Sequence, residues 1–247
     1  MSTIVINIAT IPDAEAGRAI HNLGDLPESG VYKAMLHLQN QQTGTALLPL
    51  QQHRIVAISV LEANQETVLR AGSVLDSQAS GSKSSGASEA DLLSALAKLL
   101  EKSKAVVTWR DTEFVLPVLM YRLLKHGIAC PALWGNVTGL QSQLSRQQAS
   151  AKVSLDDLAT VLGLPGNLGL DAATVLEQFQ AGQHEKVAEA CTADALNTYL
   201  IYLRLQHQQG QLSAAELESR SDALSQYLQA SGQANLQRYA DLWLSQQ

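Results

Sequence analysis

The stretch Ile4-Val5-Ile6-Asn7-Ile8-Ala9-Thr10-Ile11-Pro12-Asp13 decides the fold. Its apolar, β-branched run reads as a buried strand. Pro12 has no N–H to donate and predicts the end of the ladder. Strand side chains alternate with a period of two, so Asn7 and Ala9 point to the same side.

Working outward, residues 54–61 read as a second strand rich in β-branched side chains, and 66–71 as a shorter third. The three predict an antiparallel meander. Weak helical stretches fall at 14–23 and 31–42. Residues 72–88 are rich in Ser, Gly and Ala, with too little apolar surface to order themselves, and predict a flexible loop. Ser88 with Asp91 forms a capping pair for a helix whose Leu92, Leu93, Leu96, Leu99 and Leu100 share a face. Residues 105–109 form the next strand, and the intervening helix supplies a right-handed crossover to a parallel neighbour. Ser154 with Asp157 caps a helix that Gly163 closes, and Asp171 caps another with Val175, Leu176 and Phe179 inward and Gly182 at its end. Residues 184–208 predict one long helix with Tyr199, Tyr202 and Leu203 on its packed side. Ser213 with Glu216 starts an amphipathic tail anchored by Trp243.

The 247 residues suffice for one large domain or a domain with an appendage. With 46% apolar but only 4% aromatic residues, the core is mainly aliphatic. A net charge of −6 disfavours tight nonspecific binding to nucleic acid, which depends on clustered cations. Cys130 and Cys191 are distant in sequence and form no C-x-x-C pair, so both read as buried thiols in a reducing cytoplasm. The six histidines show no metal-ligand spacing and default to surface or capping roles. Lys98, Lys102 and Lys104 read as a solvated helix end rather than a nucleic-acid patch. No apolar run approaches the roughly 18 residues that span a membrane, and the start lacks a basic segment before an apolar one. A soluble, cytoplasmic protein is expected.

Four motifs resemble the bacterial DNA polymerase B-like 3′–5′ exonucleases, a branch of the ribonuclease H-like DEDD superfamily. The opening stretch is similar to (V/F)-D-I-E-T-(V/I)-P-D. Leu48-Pro49-Leu50-Gln51-Gln52-His53-Arg54-Ile55-Val56-Ala57-Ile58-Ser59 is similar to L-P-x-x-x-(H/Q)-R-(V/I)-V-A-I-S. Residues 107–119, from Val107-Thr108-Trp109-Arg110 to Phe114-Val115-Leu116-Pro117-Val118-Leu119, are similar to V-x-(F/W)-N-G-x-x-F-D-L-P-V-L. Ala190-Cys191-Thr192-Ala193-Asp194-Ala195-Leu196-Asn197-Thr198-Tyr199-Leu200 is similar to Y-C-x-x-D-V-L-N-T-Y-L. The family's H-x-D-L-x-D segment has no counterpart in 130–152, which is shortened and rewritten.

The resemblance implies an α/β fold: a ribonuclease H-like mixed five-stranded sheet flanked by helices over 1–210, with a C-terminal helical extension over 211–247. It also implies a two-metal site held by four carboxylates. Position by position, those carboxylates become Asn7, Ala9 and Val115, with only Asp194 retained, and the tyrosine that orients the attacking water becomes Ala190. The losses touch all three motifs that carry site residues, which argues against a deliberate double change at Asn7 and Ala9. No resident cofactor is expected; Mg²⁺ or Mn²⁺ would return only if a site were rebuilt from Asp111, Glu113 or Asp194. Arg110 replaces the family's cleft-facing Asn and is expected to pair with Asp194. Thr10, Trp109, Arg110 and Phe114 are the candidates for touching nucleic acid.

Three functions follow as expectations. The first is an inactive pseudo-exonuclease that binds or scaffolds a protein of replication, repair or RNA turnover. The second is a residual binder of single-stranded nucleic acid, with salt-dependent affinity. The third is a working exonuclease stabilised by its metal.

Overall fold

The computed structural model describes residues 2–76, 87–170 and 174–246. Five strands form one mixed sheet: β1 (Ser2–Pro12), β2 (His53–Ala63), β3 (Val68–Ser73), β4 (Ser103–Thr108) and β5 (Val137–Gly139). The helices are α1 (Ala14–His21), α2 (Glu28–Thr43), α3 (Glu89–Leu100), α4 (Leu116–His126), α5 (Leu140–Leu144), α6 (Leu155–Val161), α7 (Val175–Gln180), α8 (His184–Gln208), α9 (Ala214–Ala230) and α10 (Ala234–Leu244). A π-helical turn, Asp111–Val115, leads into α4.

The sheet order is β3-β2-β1-β4-β5. Strand β1 sits in the centre, antiparallel to β2 with Val5 opposite Leu61, and parallel to β4 with Val5 opposite Val107. The meander and the crossover appear as the sequence predicts, and the architecture is the α/β ribonuclease H-like one. Both faces of β1 are covered, which is why it reads as a nearly continuous apolar run. Ile4, Ile6 and Ile8 face Leu93 and Leu96 of α3 and Val118 and Leu119 of α4. Val5 belongs to the opposite layer, with Leu196, Tyr199, Leu200 and Leu203 of α8.

The ladder ends where Pro12 pairs with His53, and the next residue, Asp13, donates its N–H to the Gln52 carbonyl at 2.7 Å. Strand β3 begins two residues later than the sequence suggests. The Asn64 Oδ1 accepts the Glu66 and Thr67 N–H groups at 2.8 and 2.7 Å and turns that stretch. Ser88 and Asp91 form the expected capping box on α3, and Ser213 and Glu216 form one on α9. Ser154 caps α6 by accepting from the Asp157 N–H. The fifth strand lies within 130–152, where no strand is expected from sequence. It is too short, at three residues, to show any alternation in sequence. Most of the 72–88 loop and the Asp171 cap lie outside the described residues.

Helices α9 and α10 share the core of the sheet domain. Leu224, Leu228, Leu236, Tyr239 and Trp243 join the cluster around α8. The Tyr239 hydroxyl donates to Asn197 Oδ1 at 2.6 Å, and Asn197 Nδ2 donates to the Gly166 carbonyl at 2.7 Å, both in buried surroundings. Among the described residues, no helix is long and apolar enough to cross a membrane.

Candidate functional site

Strand β1 and helix α8 meet at Asn7 and Asp194. The Asn7 side-chain amide donates to Asp194 Oδ2 at 3.1 Å and to the Cys191 carbonyl at 3.4 Å. Ser59 lies opposite Asn7 on β2, and its hydroxyl is 3.0 Å from that of Thr192 on α8. A small polar seam therefore fastens α8 to the sheet. Burial pushes the Asp194 carboxyl up to about 7, against the lowering effect of the Asn7 amide, while Asp156 adds to the rise and Arg110 opposes it. Burial also pushes the Cys191 thiol up to about 12. That thiol is inert packing rather than a nucleophile.

Ala9 is half-buried on β1 and offers a methyl group. Val115 closes the π-helical turn at 4% exposure, inside the apolar cluster with Val118 and Leu119. Ala190 is buried one turn before Asp194 on α8. The structure thus brings Asn7 and Asp194 into contact, and keeps Val115 in the apolar cluster with Ile4, Ile6 and Ile8.

Arg110 does not pair with Asp194 as expected. Its guanidinium lies 4.6 Å from the centroid of the Phe114 ring, and among the described residues it makes no ion pair. The Asn7 amide takes the Asp194 oxygen instead, and Arg110 feels Glu113 and Asp194 only through their fields. Phe114 in turn meets the edge of His53, with ring centroids 5.2 Å apart. The Thr10 hydroxyl is 2.9 Å from His53 Nδ1, and His53 Nε2 is 3.3 Å from the Leu48 carbonyl. His53 is buried, contrary to the surface role expected of the histidines, and burial lowers its pKa. Thr10, Arg110 and Phe114 are half-buried and lie along one connected set of side chains. Trp109 is 5% exposed, packed among core residues of the α8 layer, and turns no ring face to solvent.

Three features here are not legible from sequence spacing. Ser59 and Thr192 belong to elements 133 positions apart. Lys152 forms an ion pair with Glu113 of the π-helical turn, 39 positions away. Beyond the far end of β1, Asp13, Glu89, Arg122, Lys125 and His126 form a buried charge network. The signals for it were the Pro12-Asp13 step, the Glu89 after the Ser88 cap, and Arg122 in a helix of otherwise apolar inward positions.

The family model described as predicted 3′–5′ exonuclease related to the exonuclease domain of PolB matches residues 45–141 and 136–243. The two spans overlap at residues 136–141, and together they cover the 130–152 segment expected from sequence to depart from the family pattern. Val115, Ala190 and Asp194 lie inside the matched spans, and Asn7 and Ala9 precede them. No curated protein matches the chain. With the mixed sheet, the long α8 and a match over most of its length, this chain belongs to the family of predicted 3′–5′ exonucleases related to the exonuclease domain of PolB.

Proposed function

We propose that this chain is a pseudo-exonuclease, which keeps the exonuclease fold and acts by binding rather than by cutting. Its partner on this reading is a protein of replication, repair or RNA turnover, met in the cytoplasm. The contact between Asn7 and Asp194 carries the reading. Two-metal hydrolysis needs several carboxylates to hold two dications and to stabilise the attacking and leaving oxygens. Here the surviving carboxylate receives an amide N–H at 3.1 Å, on an oxygen that a cation would use. Val115 and Ala9 offer carbon where hard oxygen ligands are required. Removing about three negative charges takes away most of the attraction for two divalent ions. The donor set does not fit Mg²⁺ or Mn²⁺, and no hydrolytic step is derived through either.

A second reading, binding of single-stranded nucleic acid without cleavage, is favoured by one observation. Arg110 is half-buried, stacked on Phe114 and free of ion pairs among the described residues. A desolvated guanidinium in that state suits a phosphate oxygen.

The test follows 3′-labelled single-stranded DNA and RNA oligonucleotides with the purified protein. Anisotropy across a salt series reads binding, and a gel of the same samples with Mn²⁺ reads shortening. The proposal expects no shortening. Shortening that disappears in Asp194→Ala overturns it. Binding that weakens steeply with salt and is lost in Arg110→Ala establishes the second reading.

A further inference from the structure

The edge strand β5 lies where the two matched spans of the family model overlap. Its pairing with β4 is parallel, with Val106 opposite Val137 and Thr108 opposite Gly139. The Val106 N–H donates to the Asn136 carbonyl at 3.5 Å. Successive strand residues turn their backbone groups in opposite directions. Asn136 and Thr138 therefore face β4, while Val137 presents its N–H and C=O outward and Gly139 its N–H, where no further strand pairs among the described residues. Gly139 itself is buried and caps the start of α5, whose first intrahelical bond takes its carbonyl.

Those two outward residues line an open groove of about 610 Å³, together with Ser142, Gln143, Arg146 and Gln147. The far wall is an irregular turn after α5. Arg146 and Gln147 both adopt left-handed backbone conformations, with φ of 48° and 61°. Non-glycine residues hold that conformation only where the surroundings impose it. Here the Gln147 N–H donates to the Ser142 carbonyl at 2.9 Å, and the Arg146 N–H to the Gln143 carbonyl at 3.2 Å. Arg146 is the one charged side chain in the lining, on a chain whose net charge is −6.

The opposite edge of the sheet is blocked. On β3, the Ala71 N–H donates to the Tyr227 hydroxyl of α9 at 3.1 Å. Arg70 folds back onto the carbonyls of Ser73, Val74 and Asp76. Natural sheets cover, charge or shorten their edges to prevent stray pairing. The β5 edge is short but carries no Lys and no Pro, and its outward groups open onto a polar groove.

We propose that the β5 edge is a docking groove for an extended, acidic peptide segment of a partner protein, which adds a sixth strand beside Val137–Gly139 and places a carboxylate on Arg146. The occupant follows from the groove. Alternating backbone donors and acceptors suit a strand, the amide and hydroxyl side chains of Ser142, Gln143 and Gln147 suit a polar one, and Arg146 suits an acidic one. The inference rests on the scaffold reading above and names where and how that partner binds.

The test uses fluorescein-labelled peptides of alternating Thr and Val with one central Glu, and the same peptides with Lys in its place. Anisotropy measures affinity, and amide hydrogen exchange reads Val137 and Gly139. The Glu peptide is expected to bind at least tenfold tighter than the Lys peptide and to slow exchange at both amides. Val137→Pro removes one outward N–H without touching the β4 ladder and is expected to weaken binding at least tenfold. Arg146→Glu, on the solvent-exposed turn, is expected to reverse the Glu-over-Lys preference and serves alone if the proline variant does not fold. Binding of neither peptide, equal binding of both, or binding indifferent to these variants overturns the proposal. So does protection of both amides that appears only on self-association at high concentration, which makes the occupant a second copy. Cleavage in the oligonucleotide assay overturns the pseudo-exonuclease reading and leaves these peptide results standing on their own.

Discussion

The Asn7 amide of β1 donates to Asp194 Oδ2 of α8 at 3.1 Å, joining the first strand to the long helix across 187 positions of sequence. A neutral donor thus faces the carboxylate that, on the proposed reading, is the one retained from the family's metal-binding set. The amide satisfies an oxygen of a half-buried carboxylate, and leaving such a group unsatisfied is costly. Asn at position 7 therefore has a structural role of its own, as the hydrogen-bond donor to Asp194.

Asn7→Asp puts two carboxylates about 3 Å apart, and like charges at that distance cannot both ionise without a cation between them. The variant is expected to melt several degrees below the parent at pH 8, to recover most of the loss at pH 5, and to be stabilised by millimolar Mn²⁺. The parent protein is expected to show no Mn²⁺ shift. Thermal melts in Mn²⁺ and in EDTA check this, and a variant indifferent to both pH and metal contradicts the geometry.

Asp194 makes stability depend on pH. Its carboxyl titrates near 7 when folded and at the ordinary carboxylate value of 3.8 when unfolded, so the folded state holds the proton more tightly. Its contribution is complete below about pH 4 and is lost as pH rises through 7. Asp194→Asn removes that slope. Relative to the parent, the variant is expected to gain on the order of 2 kcal/mol between pH 4 and pH 8. Urea denaturation of both proteins at the two pH values measures the difference directly.

Arg122 is the hub of the buried charge network, 2.5 Å from Asp13 Oδ2 and 2.5 Å from Glu89 Oε2, with all three side chains almost wholly buried. Burial raises the Asp13 carboxyl, but hydrogen bonds from Lys125 and Arg122, together with their charges, outweigh it and hold the carboxyl below its ordinary value. Arg122→Met strands two buried carboxylates and is expected to cost about 3–5 kcal/mol. Adding Glu89→Gln is expected to recover part of that loss, because one of the stranded charges is then gone. Additive losses in the double variant mean that the two residues do not act as a unit.

Tyr239→Phe deletes the hydroxyl that donates to Asn197 Oδ1, leaving that amide oxygen unpaired at 0% exposure of its residue. The expected cost is about 1–3 kcal/mol, in a single cooperative transition. A separate, earlier transition for the C-terminal helices means that α10 is not part of the common core.

Much of the architecture was legible because local chemistry and burial agree. The apolar run of β1 predicted a strand covered on both faces, and the Ser88–Asp91 and Ser213–Glu216 caps set the starts of α3 and α9 where the structure has them. The 3,4 spacing of leucines predicted the inward face of α3. Strand β5 was not legible, because three residues carry no periodicity and their pairing depends on where β4 already lies. Trp109 illustrates the same limit: an aromatic beside a polar site suits stacking in sequence, but burial decides whether its ring is available.

The sequence by itself determined the family frame, the central strand, the long helix, and the identities of Asn7, Ala9 and Val115 at the positions that the resemblance reads as carboxylates. Those are matters of residue identity and spacing, and they are fixed before the chain folds. Only the tertiary structure decided which partner each remaining polar group takes. Asp194 found Asn7 rather than Arg110, Arg110 settled on Phe114, and Asp13 met Arg122 across 109 positions. Pairing is set by distance and desolvation in the packed state, and neither is encoded at any single position of the chain.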